Sequence, residues 1–132
     1  MKILLVEDSK FLRLATERAM VRAGYDVTSA ADGEEGLRLA REKLPDLILL
    51  DIMLPKLSGP DVLKALKLDP TTAAIPVVVM SGLSQKNAAK LEKDGAFAFL
   101  EKSELALDQG TEPLLVKLES IKKQLAAAAG RK

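Results

Sequence analysis

Short apolar runs alternate with stretches of helical periodicity five times along the chain. "KILLV" (2–6), "DLILL" (46–50) and "IPVVVM" (75–80) are continuous and bounded by breakers, the pattern of strands buried on both faces. "DVTSA" (26–30) and "AFAFL" (96–100) are weaker strands, expected nearer the sheet edges. Between them lie the helices. Ser9 is placed to cap the first, whose Leu12, Ala15, Ala19, Met20 and Ala23 form one stripe before Gly24 stops it. Asp32 with Glu35 resembles a capping box for the second, which ends before Pro45. Ser58 caps the third, with Pro60 and Asp61 in its first turn and Val62, Leu63 and Leu66 facing inward. The fourth, about 84–94, has a thin apolar stripe of Ala88 and Leu91. Thr111 and Pro113 open the fifth, with Leu114, Leu118, Ile121 and Leu125 on one face.

Five strand–helix units with buried strands imply a parallel sheet covered by helices on both faces, an α/β three-layer sandwich. The expected domain spans 1–126, and 127–132 is a tail or the start of a linker. At 132 residues the chain suffices for one core. A net charge of +1 gives no global pointer to nucleic acid or an anionic membrane, so neither is an expected direct partner. No signal peptide is apparent and no apolar run approaches the length of a membrane span. Cysteine is absent, which excludes thiolate chemistry and fits a cytoplasmic location. Histidine is absent too, so the chain has neither the usual general base nor a phosphohistidine of its own.

The polar residues change the picture. Glu7 and Asp8 follow the first strand, Asp51 the third and Ser81 the fourth, and Lys102 comes two residues after the fifth. All collect at the carboxyl edge of the sheet, where open α/β folds hold their ligands. At about 4 Å and an effective dielectric near 20, each pair of carboxylates repels by roughly 4 kcal/mol. A cation must meet them, or they must protonate. Oxygen ligands without His or Cys favour a hard ion, and Mg2+ suits a site that also accepts phosphate.

The ordered set "VED" (6–8), "LILLDIMLP" (47–55) with Gly59 after it, "VVVMSG" (77–82) and "GAFAFLEK" (95–102) resembles the response-regulator receiver domain of two-component signalling. The resemblance runs from Met1 to about Lys102, and more loosely through the last helix. It implies a flavodoxin-like fold, a five-stranded parallel sheet of order 2-1-3-4-5 flanked by five helices. Asp51 would accept a phosphoryl group from a histidine kinase or phosphotransfer protein. Asp8, Asp51 and the backbone carbonyl of Met53 would hold Mg2+, with Glu7 acting through a bound water. Lys102 would contact the incoming phosphoryl group, the Ser81 hydroxyl would bond it once attached, and Phe99 falls at the aromatic switch position. Phosphorylation would then remodel the face made by the fourth helix, the fifth strand and the fifth helix for a downstream target. Such a chain is no general enzyme; it catalyses only its own phosphorylation and dephosphorylation.

The chain departs from the family at Ser103, where a proline usually follows the lysine, and "SELALDQGTEP" (103–113) is a longer approach to the last helix. A cis bond before serine costs about 2.5–4 kcal/mol, so a different local backbone is expected there. The side chains that flank the path of hydrolytic water in the family are here Met53 and Leu83, both apolar.

Duller readings exist for single residues: a turn or cap for Asp8, a turn serine for Ser81, a snorkelling lysine for Lys102, a core aromatic for Phe99. Phe11, Leu14 and Val21 form a second stripe on the first helix, either scattered surface or a docking face. A haloacid-dehalogenase-type phosphatase would want an aspartate where Met53 stands, and a nucleotide-binding loop would want glycines where "VEDSKF" stands. The surviving alternative is a receiver-like interaction module that works without phosphate.

Overall fold

The computed structural model describes residues 1–52, 54, 57–81, 93–101 and 112–129, with the backbone alone at Ser81, Glu101, Glu112 and Ala129. Five strands, β1 (Lys2–Val6), β2 (Asp26–Ala30), β3 (Leu47–Asp51), β4 (Val77–Ser81) and β5 (Ala98–Glu101), form one parallel sheet. Its order is β2-β1-β3-β4-β5, so the two weak strands do lie at the edges. Four helices are described: α1 (Lys10–Arg22), α2 (Gly33–Lys43), α3 (Gly59–Leu68) and α4 (Glu112–Ala129). The additional helix expected over 84–94 falls largely outside the described residues.

The continuous apolar runs make sense once both faces are counted. Along β3, Ile48 and Leu50 face a core that includes Leu39, Ala40, Val62, Leu63 and Leu66 of α2 and α3. Leu47 and Leu49 face the other, with Met20 of α1 and Leu114, Leu118 and Ile121 of α4. A strand with period 2 that is covered twice has no polar side to show.

Helix starts follow the expected local chemistry. Ser9 Oγ accepts from the Leu12 N–H (3.4 Å), and Asp32 Oδ1 from the Glu35 N–H (2.9 Å). Ser58 Oγ accepts from the Asp61 N–H and donates to the Asp61 carboxylate. Helix α1 ends in a Schellman-type turn, with Gly24 at φ +99° and the Tyr25 N–H bonded to Met20 O at 3.0 Å.

Two expectations need correction. The strands expected at 46–50, 75–80 and 96–100 sit one or two residues later, because the ladder continues to Asp51, with the Ile52 N–H donating to Met80 O (3.0 Å). In α1 the buried face holds Thr16, Ala19 and Met20, whereas Ala23 is the exposed cap. Helix α2 ends before Pro45 as expected, with the capping Leu44 at φ +46° and the proline barring the residue before it from continuing the helix.

Helix α4 is also tied to the opposite side of its layer. The Tyr25 hydroxyl donates to Glu119 Oε1 at 2.9 Å, and Lys122 Nζ lies 5.8 Å from the ring centroid. Burial, then the bond to and charge of Glu119, push the Tyr25 phenol from 10.0 up to about 12. A raised native pKa means that the contribution is complete below the unfolded value near 10 and is lost as pH climbs toward 12. Glu119 is exposed and keeps its hydration when the hydroxyl is removed, so Tyr25→Phe should cost about 1 kcal/mol at neutral pH. Urea midpoints should then fall less steeply for the variant than for the native chain between pH 10 and 12.

Candidate functional site

Strands β1 and β3 are neighbours in register, Val6 opposite Leu50, so the residues that follow each strand meet at the carboxyl edge. Alternation then selects the face. Ile3 and Leu5 share one face, and Leu47 and Leu49 share the same one. Two residues further on, Glu7 and Asp51 continue it. The Glu7 N–H still bonds to Ala30 O of β2 (3.0 Å), which keeps the strand direction through that residue. Glu7, Asp8 and Asp51 consequently bring carboxylate oxygens within 4.8 Å of one another. Glu7 and Asp51 are each 2% exposed, whereas Asp8 is exposed.

The electrostatics follow from this geometry. Two buried carboxylates at that separation repel by about 3 kcal/mol at an effective dielectric near 20, and Asp8 adds to the burden. Part of the compensation comes from the fold. Helices α1 and α3 both begin at this edge, so their partially positive N-termini lie on the anionic side of the sheet. The Ser9 N–H donates to Glu7 Oε2 (3.2 Å), and Arg13 Nη1 donates to the carbonyls of Glu7 (2.9 Å) and Asp8 (3.3 Å). Backbone dipoles redistribute the charge without removing it. An all-oxygen cluster of two buried acids and one exposed acid fits a hard divalent cation, with the exposed side open to water or phosphate.

The loop that follows Asp51 is held by close contact. The Gly59 N–H donates to Ile52 O (3.1 Å), and a β-carbon at Gly59 would lie 2.8 Å from both Asp51 O and Ile52 O while overlapping the Ile52 α-carbon. Only glycine lets the start of α3 approach so closely. Met53 and Lys102 lie outside the described residues, as does Leu83. Ser81 ends β4 one rung beyond Met80, the partner of Asp51, so its backbone is at the same edge. Phe99 pairs with Val79 on edge strand β5 and is half-buried against the α2–α3 core. Arg13 is the residue of this site that the sequence pattern did not single out. Its only local signal is an arginine five positions after Asp8 on a half-buried helix face.

The family model for the response regulator receiver domain matches residues 3–111. Among curated proteins, the gliding motility regulatory protein of Myxococcus xanthus is 41% identical over 110 residues, 82% of this chain but 14% of that protein. The alkaline phosphatase synthesis transcriptional regulatory protein PhoP of Bacillus subtilis is 48% identical over 66 residues, 50% of this chain and 28% of its own length. The chain thus spans a minor part of these relatives. Among solved structures, the chemotaxis response regulator CheY4 of Vibrio cholerae superposes with a TM-score of 0.81 at 28% identity, covering 91% of this chain and 97% of the other. A CheY-like receiver domain protein from Methanospirillum hungatei gives 0.78 at 28% identity, with 99% and 98% covered.

If the acidic cluster is a cation site, Asp8→Ala should weaken Mg2+ binding by at least about tenfold. Glu34 is exposed in the first turn of α2, outside the cluster, and Glu34→Ala should leave binding unchanged. Calorimetric titration of both variants separates the two sites, and equal losses would put the metal elsewhere.

Proposed function

The chain belongs to the response regulator receiver domain family, and from that premise we propose that it is a phosphorylation-switched signalling module with Asp51 as the phosphoacceptor. The observation that carries the reading is the convergence of Glu7, Asp8 and Asp51 at the carboxyl edge of the sheet. The donor is a histidine kinase or phosphotransfer protein, and it must supply the histidine because this chain has none. A carboxylate oxygen of Asp51 forms the new O–P bond as the donor's N–P bond breaks, and the departing imidazole takes up a proton. Asp8, Asp51 and the Met53 carbonyl would hold Mg2+, with Glu7 acting through water, and the ion would neutralise charge on the phosphoryl oxygens. Lys102 would meet the same oxygens, and the Ser81 hydroxyl would bond the phosphoryl group after transfer.

The burial of Asp51 supports a positioning mechanism. Catalysis of this kind needs no proton relay on the acceptor, only alignment and charge neutralisation. The chain therefore acts on itself rather than on a pool of substrates. Output runs through a two-state change in which Ser81 moves toward the phosphate and Phe99 turns inward. By the family resemblance the remodelled face would comprise residues 84–94, most of which lie outside the described ones, with β5 and α4. It contacts a downstream target, with no direct nucleic-acid or membrane contact by this domain. No helix among the described residues is long and apolar enough to cross a membrane.

Incubation with acetyl phosphate and Mg2+ should add one phosphate, and Asp51→Asn should abolish it. Undiminished labelling of the variant overturns the assignment. A native chain that takes no phosphate yet still binds a partner through the same face would instead be a phosphate-independent interaction module.

The lifetime of the acyl phosphate should be long. By the family resemblance Met53 and Leu83 would flank the path of the hydrolytic water, and neither side-chain type can orient water well by hydrogen bonding. Met53→Asn should accelerate decay, and a tenfold change corresponds to about 1.4 kcal/mol of barrier. Decay of isolated phosphoprotein, followed by intact mass, measures it; rapid native decay unchanged by the substitution would show that these positions do not set the lifetime.

A further inference from the structure

We propose that Arg13 is a positioning residue for the metal site, fixing the turn that aims Glu7 and Asp8 rather than supplying charge to it. The proposal rests on the reading of the acidic cluster as a cation site. Asp8 is exposed, so core packing does not hold its carboxylate, and the orientation of its backbone must. That backbone is clamped from one side. Arg13 Nη1 donates to Glu7 O at 2.9 Å and to Asp8 O at 3.3 Å. The Arg13 N–H bonds to Ser9 O at 2.8 Å, which seats the arginine in the first turn of α1 beneath its own target. Ser9 completes the clamp, donating from its N–H to Glu7 Oε2 (3.2 Å) and accepting from the Leu12 N–H through Oγ (3.4 Å). With two successive carbonyls drawn to the guanidinium, the carboxylates are left to converge with Asp51 within 4.8 Å.

Charge and positioning predict opposite signs, which makes the inference testable. A cation beside a metal site repels Mg2+, so removing it on electrostatic grounds alone should tighten binding. Removing a clamp should loosen it. Lysine keeps the charge but offers a compact, strongly hydrated ammonium on a flexible stem in place of a planar fork. Arg13→Met and Arg13→Lys should both raise the Mg2+ concentration for half-maximal binding about tenfold, the scale of outer-shell losses. In the native background, Arg18→Met removes a positive charge from an exposed position of the same helix and should leave that concentration unchanged.

The experiment titrates the full chain with Mg2+ by calorimetry, and repeats the titration on the rate of phosphorylation by acetyl phosphate. Since Arg13 is assigned to the turn and not to the phosphoryl group, the rate at saturating Mg2+ should stay within about twofold of native. Metal-free hydrogen exchange at the Ser9 and Leu12 amides should accelerate in both variants. Equal or tighter Mg2+ binding by Arg13→Met overturns the proposal, as does native behaviour of Arg13→Lys. A lower rate at saturating Mg2+ overturns it too, by assigning Arg13 to the phosphoryl group. Should Arg13→Met fail to fold, the lysine variant still decides. Mg2+ binding without phosphate on Asp51 refutes the phosphoacceptor reading alone and leaves the effect on metal affinity to be read. A native chain that binds no Mg2+ refutes both.

Discussion

Repulsion among carboxylates at the carboxyl end of β1 and β3 is the constraint around which the molecule is arranged. Register places Val6 beside Leu50, and strand alternation then puts Glu7 and Asp51 on one face, where both are almost wholly buried. Such an arrangement is unfavourable by itself in a domain whose net stability is about 5–15 kcal/mol. It persists because the described elements around it are closely packed. Each central strand is packed on both sides, α3 approaches the Asp51–Ile52 backbone at van der Waals limits through Gly59, and the β1–α1 turn is clamped by Arg13 and Ser9. A softer scaffold would let the acids drift apart or protonate. A rigid one keeps them together for a cation to meet.

Helix origins contribute to the same end. In a right-handed βαβ unit every helix starts where its strand finishes, so α1 and α3 turn their N-termini toward the acidic edge. Parallel topology thus concentrates acids and positive helix ends in one place without any residue being chosen for it.

Much of this was legible in the sequence because it is locally encoded. Ser9, the Asp32–Glu35 pair and Ser58 announce helix starts through hydrogen bonds that span three residues, and all three form. Continuous apolar runs mark strands covered twice, and the weaker runs at 26–30 and 96–100 are the two edges. The acidic triad was legible for a related reason: parallel strands gather whatever follows them. What escaped depends on partners distant in sequence. The bond between Tyr25 and Glu119 spans 94 positions, and nothing near either residue signals it. Strand ends are set by ladder bonds such as Ile52 to Met80, which apolar counting does not see. Arg13 escaped because it serves through backbone carbonyls, which every residue possesses.

The sheet also determines how a change at Asp51 can travel. Asp51 pairs with Met80 of β4, and the residue before Met80, Val79, pairs with Phe99 of β5. Met80 and Val79 face opposite cores, and both are buried to the last per cent. Interiors packed at crystal density transmit displacement rather than absorb it. Phe99 is different: it sits on an edge strand and is half-buried. A shift imposed on the rung at Asp51 would meet closely packed side chains across β4 before it reached the edge strand β5. Asp51 and Phe99 lie two strands apart in the same sheet, with the buried Met80 and Val79 between them.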